Sequence, residues 1–198
     1  MKKYELTQNT KIVSDITLYQ IKALINIPKF NINIGDLGGW IENERNLSHE
    51  GDAWVSGNAW VYGDACIYSD AMVCGDARVC GDAWVSGNAM VCGDASIYGN
   101  ARVCGNASIY GDACIYGDAS IYGDARVYGN ARVCGNAMVY GDAMVCGDAW
   151  VSDNACVSDN ACVYSDARVS HNARVCDNAR VCGDARLYRD WETAEHTC

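Results

Sequence analysis

From Gly51 to Tyr188 the chain repeats one six-residue unit without insertion or deletion. The 23 consecutive copies begin GDAWVS GNAWVY GDACIY and end GDARLY. The second position is always Asp or Asn, the third always Ala, and the fifth always Val, Ile or Leu, while the fourth and sixth vary. A short period held this strictly defines a solenoid, in which each unit meets only its neighbours. Inside a unit, Ala-x-Val-x alternates with period two, the pattern of a strand with one face buried. Ala53 and Val55 are therefore expected inside, and Trp54 and Ser56 outside. Gly-Asp or Gly-Asn then turns the chain. Gly is replaced at Ser69, Asp153, Asp159, Ser165, His171 and Asp177, yet the next residue stays Asp or Asn. That constancy assigns the positive φ of each corner to the Asp or Asn, which tolerate the left-handed region best.

Rotated to Val-x-Gly-Asp-Ala-x, the unit resembles the hexapeptide repeat of left-handed parallel β-helices. In that family a large aliphatic and a small residue point inward, and the Gly usually sits one place earlier than here. The resemblance covers roughly two thirds of the chain. It implies an all-β fold: a left-handed parallel β-helix with three hexapeptides per coil, about eight coils, and a small N-terminal β-rich head. At a strand spacing of about 4.8 Å such a rod is roughly 35–40 Å long. Residues eighteen apart become vertical neighbours.

Residues 1–36 form the head. Tyr4 and Leu6 suggest a short strand, Tyr19 to Ile27 alternate as a longer one, and Phe30, Ile32 and Ile34 alternate again beyond Pro28, together predicting a three-strand meander. The head is too short for an independent core, so it should dock on the rod or on another subunit. Residues 37–50, LGGWIENERNLSHE, read as a degenerate coil closing the rod's end, where strand edges would otherwise stand open. Residues 51–188 are the rod. The tail at 189–198, RDWETAEHTC, either covers the last coil with Trp191 or frays. The runs GDLGGWIE and NLSHEGDA resemble hexapeptide-repeat proteins of bacteria and their phages and prophages, a subgroup that implies an architecture and no activity.

No apolar run is long enough to cross a membrane, and MKKYELTQNTK lacks the apolar core of a signal peptide, so residence in the cytosol of the producing cell is expected. Thirteen cysteines would suit a disulfide framework in a secreted domain, but most occupy a variable repeat position and none forms a C-x-x-C pair. Free, outward thiols are the expectation, although Cys74 and Cys92 fall in one column and could be bridged. The net charge is −10. With three units per coil, Asp76, Asp94, Asp112, Asp148, Asp166 and Asp184 share one edge, interrupted by Asn58 and Asn130. Like charges about 5 Å apart in water repel by only ~0.8 kcal/mol, so corner chemistry alone accounts for the edge. A weak cation ladder or a basic partner is the alternative. Eight repeat arginines spread over three faces argue against direct nucleic-acid binding.

Acyltransferases share the hexapeptide coil, with a loop excursion and a catalytic His at a subunit junction. Here the repeat has no excursion, and the histidines are His49 in the cap, His171 at a corner and His196 in the tail. No catalytic residue, metal site or cofactor is therefore assigned, and a hexapeptide acyltransferase is kept as a minor alternative. Ice binding is disfavoured because the repeat contains no Thr. What remains is surface. Trp54, Met72 and Met90 begin one face with Ser56, Cys74 and Cys92 beside them, and Trp60 and Tyr62 begin the next. Uncharged strips of this kind mark association, and they also pack as side-chain ladders between coils. The sequence thus predicts a non-catalytic scaffold that forms homo-oligomers through this strip. The competing reading is an acidic inhibitor that binds a host protein's basic groove.

Overall fold

The computed structural model describes residues 2–189, and the tail expectation, with Trp191 and His196, lies outside the described residues. The repeat builds a three-sided parallel β-solenoid of about eight coils, one sheet to a side, with 11, 8 and 7 strands. Most repeat strands span only two residues, such as Trp54–Val55 and Met72–Val73. Successive coils pair eighteen residues apart: Val55 with Val73, Val73 with Val91, and Val61 with Val79. We call the sheet that begins at Trp54 the first face, that beginning at Trp60 the second, and that beginning at Cys66 the third.

The ladder runs along the rod axis. The fourth-position N–H donates to the third-position carbonyl of the next coil (Trp60 N to Ala77 O, 2.9 Å), and the sixth-position N–H to the fifth-position carbonyl (Cys74 N to Val91 O, 2.8 Å). Inside, Ala and Val or Ile are fully buried at every repeat from Ala53 to Val169. Such closure removes the apolar face of every unit from water, which none could do alone.

The corners differ from expectation. Positive φ falls on the first position of the unit, not on the Asp or Asn. Where Gly is replaced, Ser69, Asp153, Asp159, Ser165, His171 and Asp177 adopt φ of 57–62° themselves. The second residue is engaged otherwise: its N–H donates to the first-position carbonyl one coil on, as from Asp76 to Gly93 O at 2.9 Å. Its side chain enters a parallel ladder, with Asn88 donating to Asn106 at 3.0 Å and Asn106 to Asp124 at 2.8 Å. Asp and Asn are thus held by axial hydrogen bonding rather than by backbone angle.

The head also differs. Strand β1 (Tyr4–Val13) and strand β2 (Ile16–Ala23) form a hairpin through Ser14 and Asp15, both at positive φ. The second strand stops at Ala23, and Pro28–Phe30 is a 3-10 turn rather than the start of a third strand. The third strand of the meander is β3 (Leu37–Ile41), which lies antiparallel to β2 and parallel to the rod, pairing Trp40 with Trp60 and Ile41 with Val61. Pro at the start of a short turn explains the difference, because it fixes φ and removes a donor. Strand β3 fits because it carries Gly38 and Gly39. A Cβ on Gly38 would lie 2.5 Å from Ile21 and 2.6 Å from Val55 O, and one on Gly39 would lie 2.7 Å from the Val55 side chain.

Residues 37–50 run beneath the rod as a coil whose offset is twenty rather than eighteen, Leu47 meeting Ile67. Buried Asn46 donates to Gly63 O at 3.0 Å and Ala65 O at 2.8 Å, doing the work of the absent lower coil's amides. Asn46→Leu leaves both carbonyls unpaired and should cost about 2–3 kcal/mol in urea unfolding. At the corners, a Cβ on Gly117 (φ 73°) would sit 3.0 Å from Gly135 N and O. Gly117→Ala should therefore lower stability by about 1–2 kcal/mol or more, while Ser165→Gly should raise it by up to about 1 kcal/mol.

Candidate interaction surface

Outward side chains stand in columns because the register never slips. The sixth positions carry stacked tyrosines, Tyr98 on Tyr116, Tyr110 on Tyr128 and Tyr122 on Tyr140, with centroids 4.9–5.1 Å apart and rings nearly parallel. Elsewhere in these columns Tyr meets Cys. Hydrogen bonds to Cys80, Cys134 and Cys146, with burial second, push Tyr62, Tyr116 and Tyr128 up to about 12. In the fourth positions Arg lies against Trp: Arg78 on Trp60 at 4.9 Å, Arg102 on Trp84 at 5.5 Å, and Arg132 and Arg168 on either side of Trp150 at 6.0 and 5.6 Å. Such contacts satisfy aromatic faces within the chain itself.

The strip predicted from sequence is only partly open. Trp54, Met72 and Met90 share one column as expected. Trp54, however, is fully buried and cannot line an exposed strip. It lies in the first coil, where the head covers the rod, and it joins one apolar cluster with Tyr4, Ile21, Ala23 and Ile27, against which Ile25, Phe30 and Ile32 also pack. Trp60 is half-buried on the second face, with the Lys11 ammonium 4.0 Å from its ring centre and Arg78 on it as well, so it is not a free anchor. Tyr62 is half-buried and engaged by Cys80. Met72, Cys74 and Cys92 remain half-buried, and Met90 is 43 % exposed. Cys74 donates a hydrogen bond to Cys92. That bond drives the Cys74 thiol far up and draws Cys92 down to about 7 against the opposing effect of burial. On the third face, Trp84 (47 % exposed) and Met138 (40 %) are the large apolar groups that sequence reasoning passed over. The hexapeptide of Trp84 is identical to that of the covered Trp54, and the position of the head separates the two.

All six carboxylates of the predicted edge, Asp76, Asp94, Asp112, Asp148, Asp166 and Asp184, are exposed at one corner. Asn130 divides them and donates to Asp148 at 2.9 Å. Among the described residues no cation lies within ion-pair distance of any of the six, and no three His, Cys, Asp or Glu side chains converge as a metal site.

His49 and His171 sit at opposite ends of the rod. His49 stacks on Tyr4 at 4.3 Å and accepts from Lys3 N at 3.2 Å. His171 turns a corner at φ 61° and takes the Asp153 carboxylate on its backbone N–H at 3.1 Å. The head is pinned by three lysines. Besides Lys11 on Trp60, Lys29 reaches Asn88 Oδ1 at 2.6 Å and the Asp70 carboxylate at 3.4 Å, and buried Lys3 donates to Gly51 O at 3.2 Å. Glu44 is held below the ordinary carboxylate range, first by its 2.7 Å hydrogen bond from Lys2.

A parallel β-solenoid wound from hexapeptides, with its chemistry displayed in axial columns, defines the class: the chain is a β-helix repeat protein. Within that class, the YdcK beta solenoid repeat matches residues 95–111, 119–133, 131–147 and 173–189, all on the rod except the last residue. No curated protein matches the chain.

Burial lowers the Lys3 ammonium from 10.5 to about 8, with Asp52 and Asp70 opposing. Between these values the unfolded chain binds the extra proton, so this lysine's contribution to stability rises with pH from 8 to 10.5. In urea unfolding, Lys3→Met should abolish that component, so wild type gains on the variant across this interval.

Proposed function

We propose that the chain is a non-catalytic scaffold that self-associates through the first face, where the sulfur-bearing side chains of Met72, Cys74, Met90 and Cys92 form one patch. The exposure of Met90 carries this reading, because an unbranched apolar side chain left half in water within such a patch gains from a partner. A second copy is favoured over an unrelated partner because a single apolar stretch, Met72 beside Met90, can meet itself across a two-fold axis. The two described histidines support a non-catalytic role, since each is committed to packing or to a corner. A phage or prophage origin and residence in a bacterial cytosol accompany this reading. The exposed acidic edge favours a second one, an inhibitor that presents carboxylates to a basic groove. Salt-sensitive capture of a host nucleic-acid enzyme would support that inhibitor instead.

Sedimentation velocity across a concentration series tests the scaffold. Wild type should form dimers or higher oligomers, and Met72→Glu with Met90→Glu should give a folded monomer whose melting temperature no longer depends on protein concentration. Trp84→Glu on the third face should leave association intact. A wild-type chain that stays monomeric at every concentration would sink the reading.

A further inference from the structure

The structure assigns Met72, Cys74, Met90 and Cys92 as a binding site for a soft monovalent cation, copper(I). The two segments are the same tripeptide, Met-Val-Cys, placed one coil apart. Val73 and Val91 pair in register and are fully buried, so the residues flanking each turn outward on the same face. Four sulfur atoms thereby share one patch on two adjacent strands, with the two cysteines in the same position of successive coils. Nowhere else in residues 51–188 do cysteines occupy the same outward position in successive coils; the other sixth-position cysteines adjoin Tyr or Ser.

The donors select the metal. Thiolate and thioether sulfurs suit copper(I), whereas hard cations prefer oxygen donors. Structural zinc takes four Cys or His donors, and half of this set is thioether. The strand spacing suits such an ion. A metal–thiolate bond of roughly 2.3 Å sets sulfurs on either side of a two-coordinate ion roughly 4.6 Å apart. That separation is close to the strand spacing of about 4.8 Å. The ladder holds the coils at that spacing, with Met72 N donating to Ala89 O at 2.9 Å and Cys74 N to Val91 O at 2.8 Å. Both cysteines are free, so the ion fits between them without moving the strands. On binding, both thiols lose their protons to solvent and two copper–sulfur bonds form, leaving one net negative charge that the long, adaptable Met side chains shield from water. This site does not depend on self-association.

The test uses the full chain, reduced and free of oxygen, titrated with copper(I) against a chromophoric copper(I) chelator. One equivalent should bind more tightly than any further copper taken up by the other cysteines. Replacing both thiols, Cys74→Ser with Cys92→Ser, should weaken that equivalent roughly 100-fold or more. Serine already stands at the same repeat position in Ser56, Ser86 and Ser152, so the fold tolerates it. The control pair Cys80→Ser with Cys104→Ser removes two thiols from other faces and should leave the first equivalent unchanged. Met72→Leu with Met90→Leu should weaken it about tenfold, and X-ray absorption should show only sulfur around the metal in the unmodified chain. Equal binding by the two serine pairs, or nitrogen or oxygen in the first coordination shell, would overturn the assignment.

Discussion

The axial amide-to-carbonyl ladder governs everything else in this protein. Each coil offers donors at its second, fourth and sixth positions to carbonyls at the first, third and fifth of the next, as Asp76 to Gly93, Trp60 to Ala77 and Cys74 to Val91 show. The ladder closes only if every corner arrives at the same height. One inserted residue would shift its strand by a position and exchange inward for outward side chains in all that follows. The unbroken period from Gly51 to Tyr188 is the consequence. So is the placement of positive φ at the first corner position, where the carbonyl must face the coil below.

The ends show what happens where the period stops. A solenoid's last strand is an open edge, and at the N-terminal end the chain closes it by changing direction. Strand β3 is parallel to the rod on one side and antiparallel to the hairpin on the other, so the head extends the second face rather than forming a separate core. Gly38 and Gly39 permit the close approach, and Asn46 supplies amide donors that the missing coil would have given. At the other end, five successive corners lack Gly, and Asp153 offsets its backbone cost by binding the His171 amide one coil on. Burial of the inner positions loosens there, from complete at Val169 to partial at Val181.

The rod was legible in the sequence because inward residues obey one rule at every unit. Val55 above Val73 follows from period and three-fold closure alone, and so does the column Trp54, Met72, Met90. What escaped was anything fixed by contact between non-repeating segments. Nothing in the letters of Trp54 distinguishes it from Trp84, yet the head buries one and leaves the other 47 % exposed. The corner angle escaped for a different reason. An invariant Asp or Asn has two possible physical causes, backbone tolerance and side-chain hydrogen bonding, and only the Asn88–Asn106–Asp124 ladder separates them.

Because each outward residue meets chiefly its neighbours eighteen positions away, the surface is a set of independent lines rather than patches assembled from distant loops. In most lines the demanding groups are matched within the chain. Trp60, Trp84 and Trp150 each have a cation on a face, and the tyrosines stack or bind thiols. Met72 and Met90 adjoin no arginine in their line, and in the companion line Cys74 and Cys92 stand in successive coils. Unlike the acidic edge, whose carboxylates water satisfies, thioethers gain little from solvent. A rod that meets most of its surface needs internally leaves these sulfur atoms as the least matched side chains of the first face.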